Sequence, residues 1–339
     1  MSESAEAGED SHAESGGNED NANYESIDNI VESAEQDTEA KEVIHSKTYQ
    51  QNYSGYDKVI ERIDRIIDSR GEKIVLGEYS ENGRVYTLYA YIVGSQNNKN
   101  NYGKIGGVIS SGAHGDEQGA VEGLIDSLEK IVANKELIEN IGPLIVIPVL
   151  SPGAYDKGTR ENGNGIDINR QFWVYSRDKP PEVALVENFL LSYSGRVKFF
   201  CDMHQDDRFS NNIAYALVNH HPKTDKLVAR GMKNLIEDGY EMLPYEELDC
   251  IRRIGYGIYK KDYDVYSGAF GPAPNSSPSK VFDIVLEINN PAGFSPAVLE
   301  ILHNINGYHT TQPKIVSIYK DMHKSGKSSY VDMTLKYAA

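Results

Sequence analysis

Three apolar, β-rich runs in this chain each stop at residues able to bind a metal or move a proton. Residues 105–110 lead into His114-Gly115-Asp116-Glu117, residues 197–203 into His204, and residues 281–286 into Glu287. Helical stretches separate these runs, and strands alternating with helices predict an α/β sandwich with a largely parallel sheet. In open sheets of that kind the ligand sits beyond the carboxyl ends of the strands. The same three segments therefore point to a fold class and to the edge of the sheet where chemistry belongs.

The remaining periodicity fills in the alternation. Residues 56–67 place Val59, Ile63, Ile66 and Ile67 on one helical face. Runs at 73–79 and 85–92 read as strands joined through Glu81-Asn82-Gly83, and Asn-Gly is a strong hairpin signal. Helices are expected at 116–132, with Ala120, Leu124, Ile125 and Leu128 on one face, and at 181–192, 225–237, 296–308 and 312–322. Residues 144–150 read as another buried strand, and residues 281–287 as the strand that carries Glu287. Two stretches, 151–179 and 205–271, read as long polar connections, apart from the helix at 225–237. Long ordered loops in a compact domain are usually functional.

Charge is concentrated at one end. Residues 1–50 hold 14 acidic and 2 basic residues, a net of −12 out of −17 for the whole chain, which leaves −5 for residues 51–339. With little apolar residue content, the first part of this stretch cannot bury enough surface to fold, so residues 1–50 are expected to be a disordered acidic arm before one domain at 51–339. An acidic balance disfavours nucleic acid and anionic membrane surfaces as partners. No run of apolar residues is long enough to span a bilayer. No signal peptide is visible at Met1, although a leader rich in Ser, Glu and Asn also follows a removed signal or lipid-anchor segment; the compartment, cytoplasmic or exported, stays open. Two cysteines, Cys201 and Cys250, are too few for a disulfide framework, and Cys201 reads as a small buried hydrophobe.

Each candidate residue has a chemical and a plain reading. His114, Glu117 and His204 supply two imidazoles and a carboxylate, the ligand set of a catalytic zinc with an open position. A His-x-x-Glu spacing alone recurs by chance, and His204 could merely terminate its strand. Asp167 is either a turn residue after Gly165 or the acceptor that orients a ligating imidazole. Asn169 and Arg170 could grip a free carboxylate, and Arg160 could stabilise an oxyanion; surface salt bridges are the alternative for both arginines. Glu287 closes an apolar strand, as a general base for a metal-activated water or as a carboxylate paired with a loop cation. His220 and His221 point to opposite faces if extended, and His303 and His309 read as surface or packing residues.

Taken in order, the segments Gly112-Ala113-His114-Gly115-Asp116-Glu117, Ser151-Pro152-Gly153, Gly158-Thr159-Arg160-x-Asn162-x-x-Gly165-x-Asp167-x-Asn169-Arg170-x-Phe172, Asp202-x-His204 and Leu286-Glu287 closely resemble the M14 family of zinc carboxypeptidases. The resemblance covers roughly residues 53–325. The Gly-Thr-Arg-x-Asn form and the 86 residues between Glu117 and His204 look more like its murein-peptide amidase and succinylglutamate desuccinylase/aspartoacylase branches than its digestive enzymes. The resemblance implies a three-layer α/β/α sandwich with a mixed, mostly parallel sheet. It implies one zinc ion held by His114, Glu117 and His204, with Asp167 supporting His114. Arg160 would polarise the scissile carbonyl, Asn169 and Arg170 would hold a terminal carboxylate, and Glu287 would be general base and acid. The implied activity is hydrolysis of an amide beside a free carboxylate, on peptides or cell-wall peptides. Deacylation of an N-acyl amino acid is the enzymatic alternative, and a non-catalytic peptide or cell-wall binder on the same scaffold the non-enzymatic one. The chain departs from the digestive enzymes at Gln205-Asp206-Asp207, and their mobile tyrosine has no secure match, Tyr263 and Tyr266 being the candidates.

Overall fold

The computed structural model describes residues 53–94, 105–172, 178–193, 196–206, 208, 213–218, 222–243, 247–248, 251–255, 258–260 and 282–305. The expected arm, the expected helix at 312–322, and Tyr263, Tyr266, His220, His221, His309 and Cys250 lie outside these residues.

The chain enters through helix α1 (Tyr56–Ile67), which buries Tyr56, Val59, Ile60, Ile63 and Ile67 at helical spacing. Ile66, expected on that face, is only partly buried, and Ile60 takes the place. Strands β1 (Gly71–Glu81) and β2 (Arg84–Val93) form a hairpin in which Glu81 faces Arg84 across Asn82-Gly83. Both turn residues have positive φ, 51° and 79°, which matches the right-handed twist of the flanking strands. There follow β3 (Ile105–Ser111), α2 (Gln118–Ala133), α3 (Lys135–Ile141), β4 (Leu144–Ile147), α4 (Pro152–Lys157), α5 (Pro181–Leu191) and β5 (Val197–His204). The last part holds β6 (Ile213–Val218), α6 (Pro222–Glu237), β7 (Glu241–Met242), β8 (Glu247–Leu248), β9 (Ile251–Gly255), β10 (Ile258–Lys260), β11 (Phe282–Ile288) and α7 (Phe294–Asn304).

The strands form a mixed sheet in the order β1-β2-β4-β3-β5-β11-β6-β10-β9-β8, with β7 beside β6. Its centre, β4-β3-β5-β11, is parallel. The stretch 205–271 is not one connection: it contributes β6 to β10 as well as α6. These strands escaped the sequence reading because most are only two to five residues long. Likewise α4 occupies the start of the expected loop at 151–179, and α3 was not expected.

Two apolar cores lie on opposite faces of the sheet. One packs α1, α2, α3, α6 and α7 residues such as Ile63, Leu124, Leu137, Met232 and Ile301. The other packs Val183, Val186 and Leu190 of α5 against Ile92, Val108, Ile145 and Phe200. This is a three-layer α/β/α arrangement, and it follows from how the chain winds. From β3 it passes over one face through α2 and α3 to β4; from β4 it returns over the other face through α5 to β5, on the far side of β3. The reversal opens a crevice at the carboxyl ends of β3 and β5, where ligands of open α/β sheets bind. No helix of the described residues is long and apolar enough to cross a membrane.

Candidate metal centre

Ser110 and Asp202 are register partners on β3 and β5, and His204 is the last residue of β5. Beyond β3 the chain turns through Gly112 to Gly115 and delivers His114 and Glu117 over the crevice. Gly115 lets this loop press against α4: a Cβ there would lie 2.0 Å from the carbonyl carbon of Ala154. Its N–H donates to the Thr159 carbonyl at 2.9 Å, which ties the loop to the segment carrying Arg160.

His114, Glu117 and His204 each offer a ligand atom within 4.8 Å of the others. The Glu117 carboxylate lies between the rings, Oε1 2.6 Å from Nδ1 of His114 and Oε2 2.7 Å from Nδ1 of His204. Both rings are buried, with centroids 5.0 Å apart. Each outer nitrogen meets a different carboxylate: Nε2 of His114 lies 3.1 Å from Asp167 and Nε2 of His204 lies 2.8 Å from Asp202. Inner nitrogens facing a common point and outer ones held by carboxylates is how proteins orient imidazoles for a metal. Two imidazoles and one carboxylate suit zinc.

The three groups also hold one another's charge. Burial would raise the Glu117 carboxyl, but His204 and His114 hold it well below the usual carboxylate range. Burial would lower the imidazoles, yet the carboxylates around them win: both are raised, His204 well above its ordinary value. Asp167, despite partial burial, is held down to about 2 by His114 and by the two arginines.

Arg160 belongs to the same group. Its Nη1 lies 3.3 Å from Nδ1 of His114 and 3.5 Å from Oε1 of Glu117, and its Nη2 donates to Oδ2 of Asp167 at 3.2 Å. Asp167 also accepts the Asn169 backbone N–H and so starts the short turn Ile168–Arg170. That turn brings Nδ2 of Asn169 to 3.5 Å from Nε2 of His204, while Oδ1 of Asn169 is buried with no hydrogen-bond partner among the described residues. Arg170 is exposed, and its charge helps lower Asp167. Glu287 on β11 is the register partner of both His204 and Tyr215. Burial, partly offset by His204 and reinforced by Glu117, Asp206 and Asp202, pushes its carboxyl up to about 8. His303, by contrast, is exposed in the last turn of α7.

Sequence reasoning gave no role to Asp202, Ser110, Gln205 or Asn289. Asp202 was within reach of it, because residues two apart on a strand share a face. Ser110 Oγ donates to Oδ1 of Asp202 at 2.6 Å across the β3–β5 pair, a contact that no local pattern encodes.

No family model and no curated protein matches the sequence. Solved structures do match the fold. A Shewanella baltica protein described as a metallopeptidase has 18% identity and a TM-score of 0.56, over 73% of this chain and 91% of its own. A metallo-carboxypeptidase from Burkholderia cenocepacia has 12% identity and a TM-score of 0.54, over 75% and 69%. A metallo-carboxypeptidase from Pseudomonas aeruginosa, in complex with (2-guanidinoethylmercapto)succinic acid, has 16% identity and a TM-score of 0.50, over 74% and 67%. At such identities a likeness speaks for architecture, and by its topology and these relatives this chain has the α/β/α fold of the metallo-carboxypeptidases.

Proposed function

We propose that the protein is a zinc-dependent hydrolase of amide bonds next to a free carboxylate, acting on peptides or cell-wall peptides, and that residues 51–339 are its catalytic domain. The observation that carries this reading is the pair of buried imidazoles whose Nδ1 atoms converge on Glu117 while Asp167 and Asp202 hold their outer nitrogens.

His114, Glu117 and His204 would hold the ion. Zinc in that place supplies Lewis acidity toward a water molecule and the scissile carbonyl. Glu287, on the strand next to His204, takes a proton from the attacking water and returns it to the leaving nitrogen. Its buried carboxyl is raised above the ordinary carboxylate range, which suits a group that must both accept and return a proton. Arg160 is held by Asp167 with its guanidinium edge beside the ligands, where it can donate to the oxygen that becomes negative. Asn169 and Arg170, on one turn at the same crevice, serve as the fork for the substrate's free carboxylate.

The test is turnover on a panel of peptides with free C-termini, muropeptides and N-acyl amino acids, before and after chelation and zinc readdition. Chelator-sensitive release of a C-terminal residue supports the proposal. Turnover confined to N-acyl amino acids would make the protein a deacylase, and zinc and ligand binding without turnover would make it a binding module.

A further inference from the structure

We infer that Gln205 is a positioning residue that fixes the metal-ligand loop to the strand bearing Glu287; this rests on the metal reading above. Glu117 is the residue that caps the start of α2, and its side chain makes no capping hydrogen bond. Helix starts leave backbone N–H groups without partners, and the capping side chain usually accepts one of them. Glu117 does not, because its carboxylate is turned away from the helix start toward the two imidazoles. Gln205 fills the role from another segment: its Oε1 accepts the N–H of Gly119 at 3.1 Å. The other end of the same amide donates to the carbonyl of Asn289 at 2.9 Å. The backbone N–H of Gln205 donates to Oε2 of Glu117 at 3.1 Å.

One residue thus touches all three segments of the site. It directly follows His204, grips the start of α2 and Glu117, and holds Asn289, two residues after Glu287. A second tie runs alongside, from Asp206 N–H to Oδ1 of Asn289 at 2.9 Å. The amide cannot be reversed, since its oxygen faces a donor and its nitrogen an acceptor. The fit also involves the residue on the helix: a Cβ at position 119 would lie 2.6 Å from Oε1 of Gln205 and push the amide out of its place. Strand pairing alone sets His204 against Glu287, whereas His114 and Glu117 lie past the end of β3 and need such a strap.

The experiment measures zinc affinity, by competition with a chromophoric chelator, and amide exchange at Gly119 in the metal-free protein. It compares wild type, Gln205→Ala, the volume-conserving Gln205→Met, Gly119→Ala and the Gln205→Ala/Gly119→Ala double variant. Both Gln205 variants keep the N–H that reaches Glu117 but release α2 and Asn289, so zinc binding should weaken by about threefold or more, short of the roughly 10–100-fold cost of removing a direct outer partner of a metal ligand. They should also speed exchange at Gly119. Gly119→Ala should weaken zinc binding by crowding Gln205, and the double variant should bind no worse than Gln205→Ala alone. Wild-type zinc affinity retained in Gln205→Met, or losses that add in the double variant, would overturn the strap. Failure of the wild type to bind zinc would overturn the metal reading itself, and unchanged Gly119 exchange in Gln205→Met would then dispose of the strap separately.

Discussion

The carboxylate of Asp202 lies 2.8 Å from Nε2 of His204, and both side chains are buried. With Ser110 on its other oxygen, Asp202 holds the ring so that Nδ1 faces Glu117. His114 is held differently, by Asp167 on a partly exposed turn that also grips Arg160.

Asp202→Asn keeps the shape and removes the charge. It should weaken zinc binding roughly 10–100-fold while leaving the fold intact. Asp167→Asn should weaken zinc binding too, and should lower kcat further at saturating zinc, because Arg160 loses its anchor. Chelator competition together with kcat at saturating zinc separates the two; equal behaviour of both variants would count against distinct roles.

Glu287→Gln should retain stoichiometric zinc by elemental analysis and lose roughly 10²–10⁴-fold in kcat. Loss of the metal in this variant would mean that Glu287 is a ligand. Near-normal turnover would mean that another group moves the proton.

The two arginines should respond differently to the substrate's terminus. A free carboxylate gains a charge-assisted, two-pronged hydrogen bond from a guanidinium that an amide cannot match. Arg170→Ala should therefore reduce kcat/KM for a free-acid peptide far more than for the same peptide amidated, whereas Arg160→Ala should lower turnover on both. Equal losses for the two substrates in Arg170→Ala would remove the carboxylate fork from the mechanism.

Acidity should act oppositely on the metal-free and loaded protein. Without metal, Glu117 sits well below its ordinary 4.5 and both histidines above 6.5. A lowered carboxylate stabilises above its unfolded value and loses that contribution as pH falls through its folded one. Raised imidazoles stabilise fully below their unfolded value and lose it as pH rises through their folded ones. The cluster therefore stabilises the metal-free protein most between pH 4.5 and 6.5. The Tm difference between metal-free wild type and His204→Asn should be greatest there and shrink toward alkaline pH. The Tm gain on adding zinc should instead grow with pH over the same range, because protons compete for the Nδ1 atoms. A metal-free difference that grows above pH 7 would contradict this protonation scheme.

Much of this arrangement is local enough to be written in the chain itself. The strands that lead to His114, His204 and Glu287 announce themselves because a buried strand is a short apolar run, and the polar residues that interrupt it lie at or near the sheet's edge. The hairpin at Asn82-Gly83 is equally local, since the turn demands residues that tolerate positive φ. Helix α2 was legible in its apolar face, but its start two residues later than expected was not, because Glu117 turns its side chain to the histidines. Only the tertiary structure decided what lies behind those residues. Strands β7 to β10 hold only two to five residues each, too few for a pattern to rise above their polar surroundings. Ser110 reaches Asp202 across 92 positions, and Gln205 reaches Gly119 across 86. A hydrogen bond between such distant positions leaves no periodicity to read; it exists because parallel strands β3 and β5 lie side by side, and the chain's reversal around β3 puts them there.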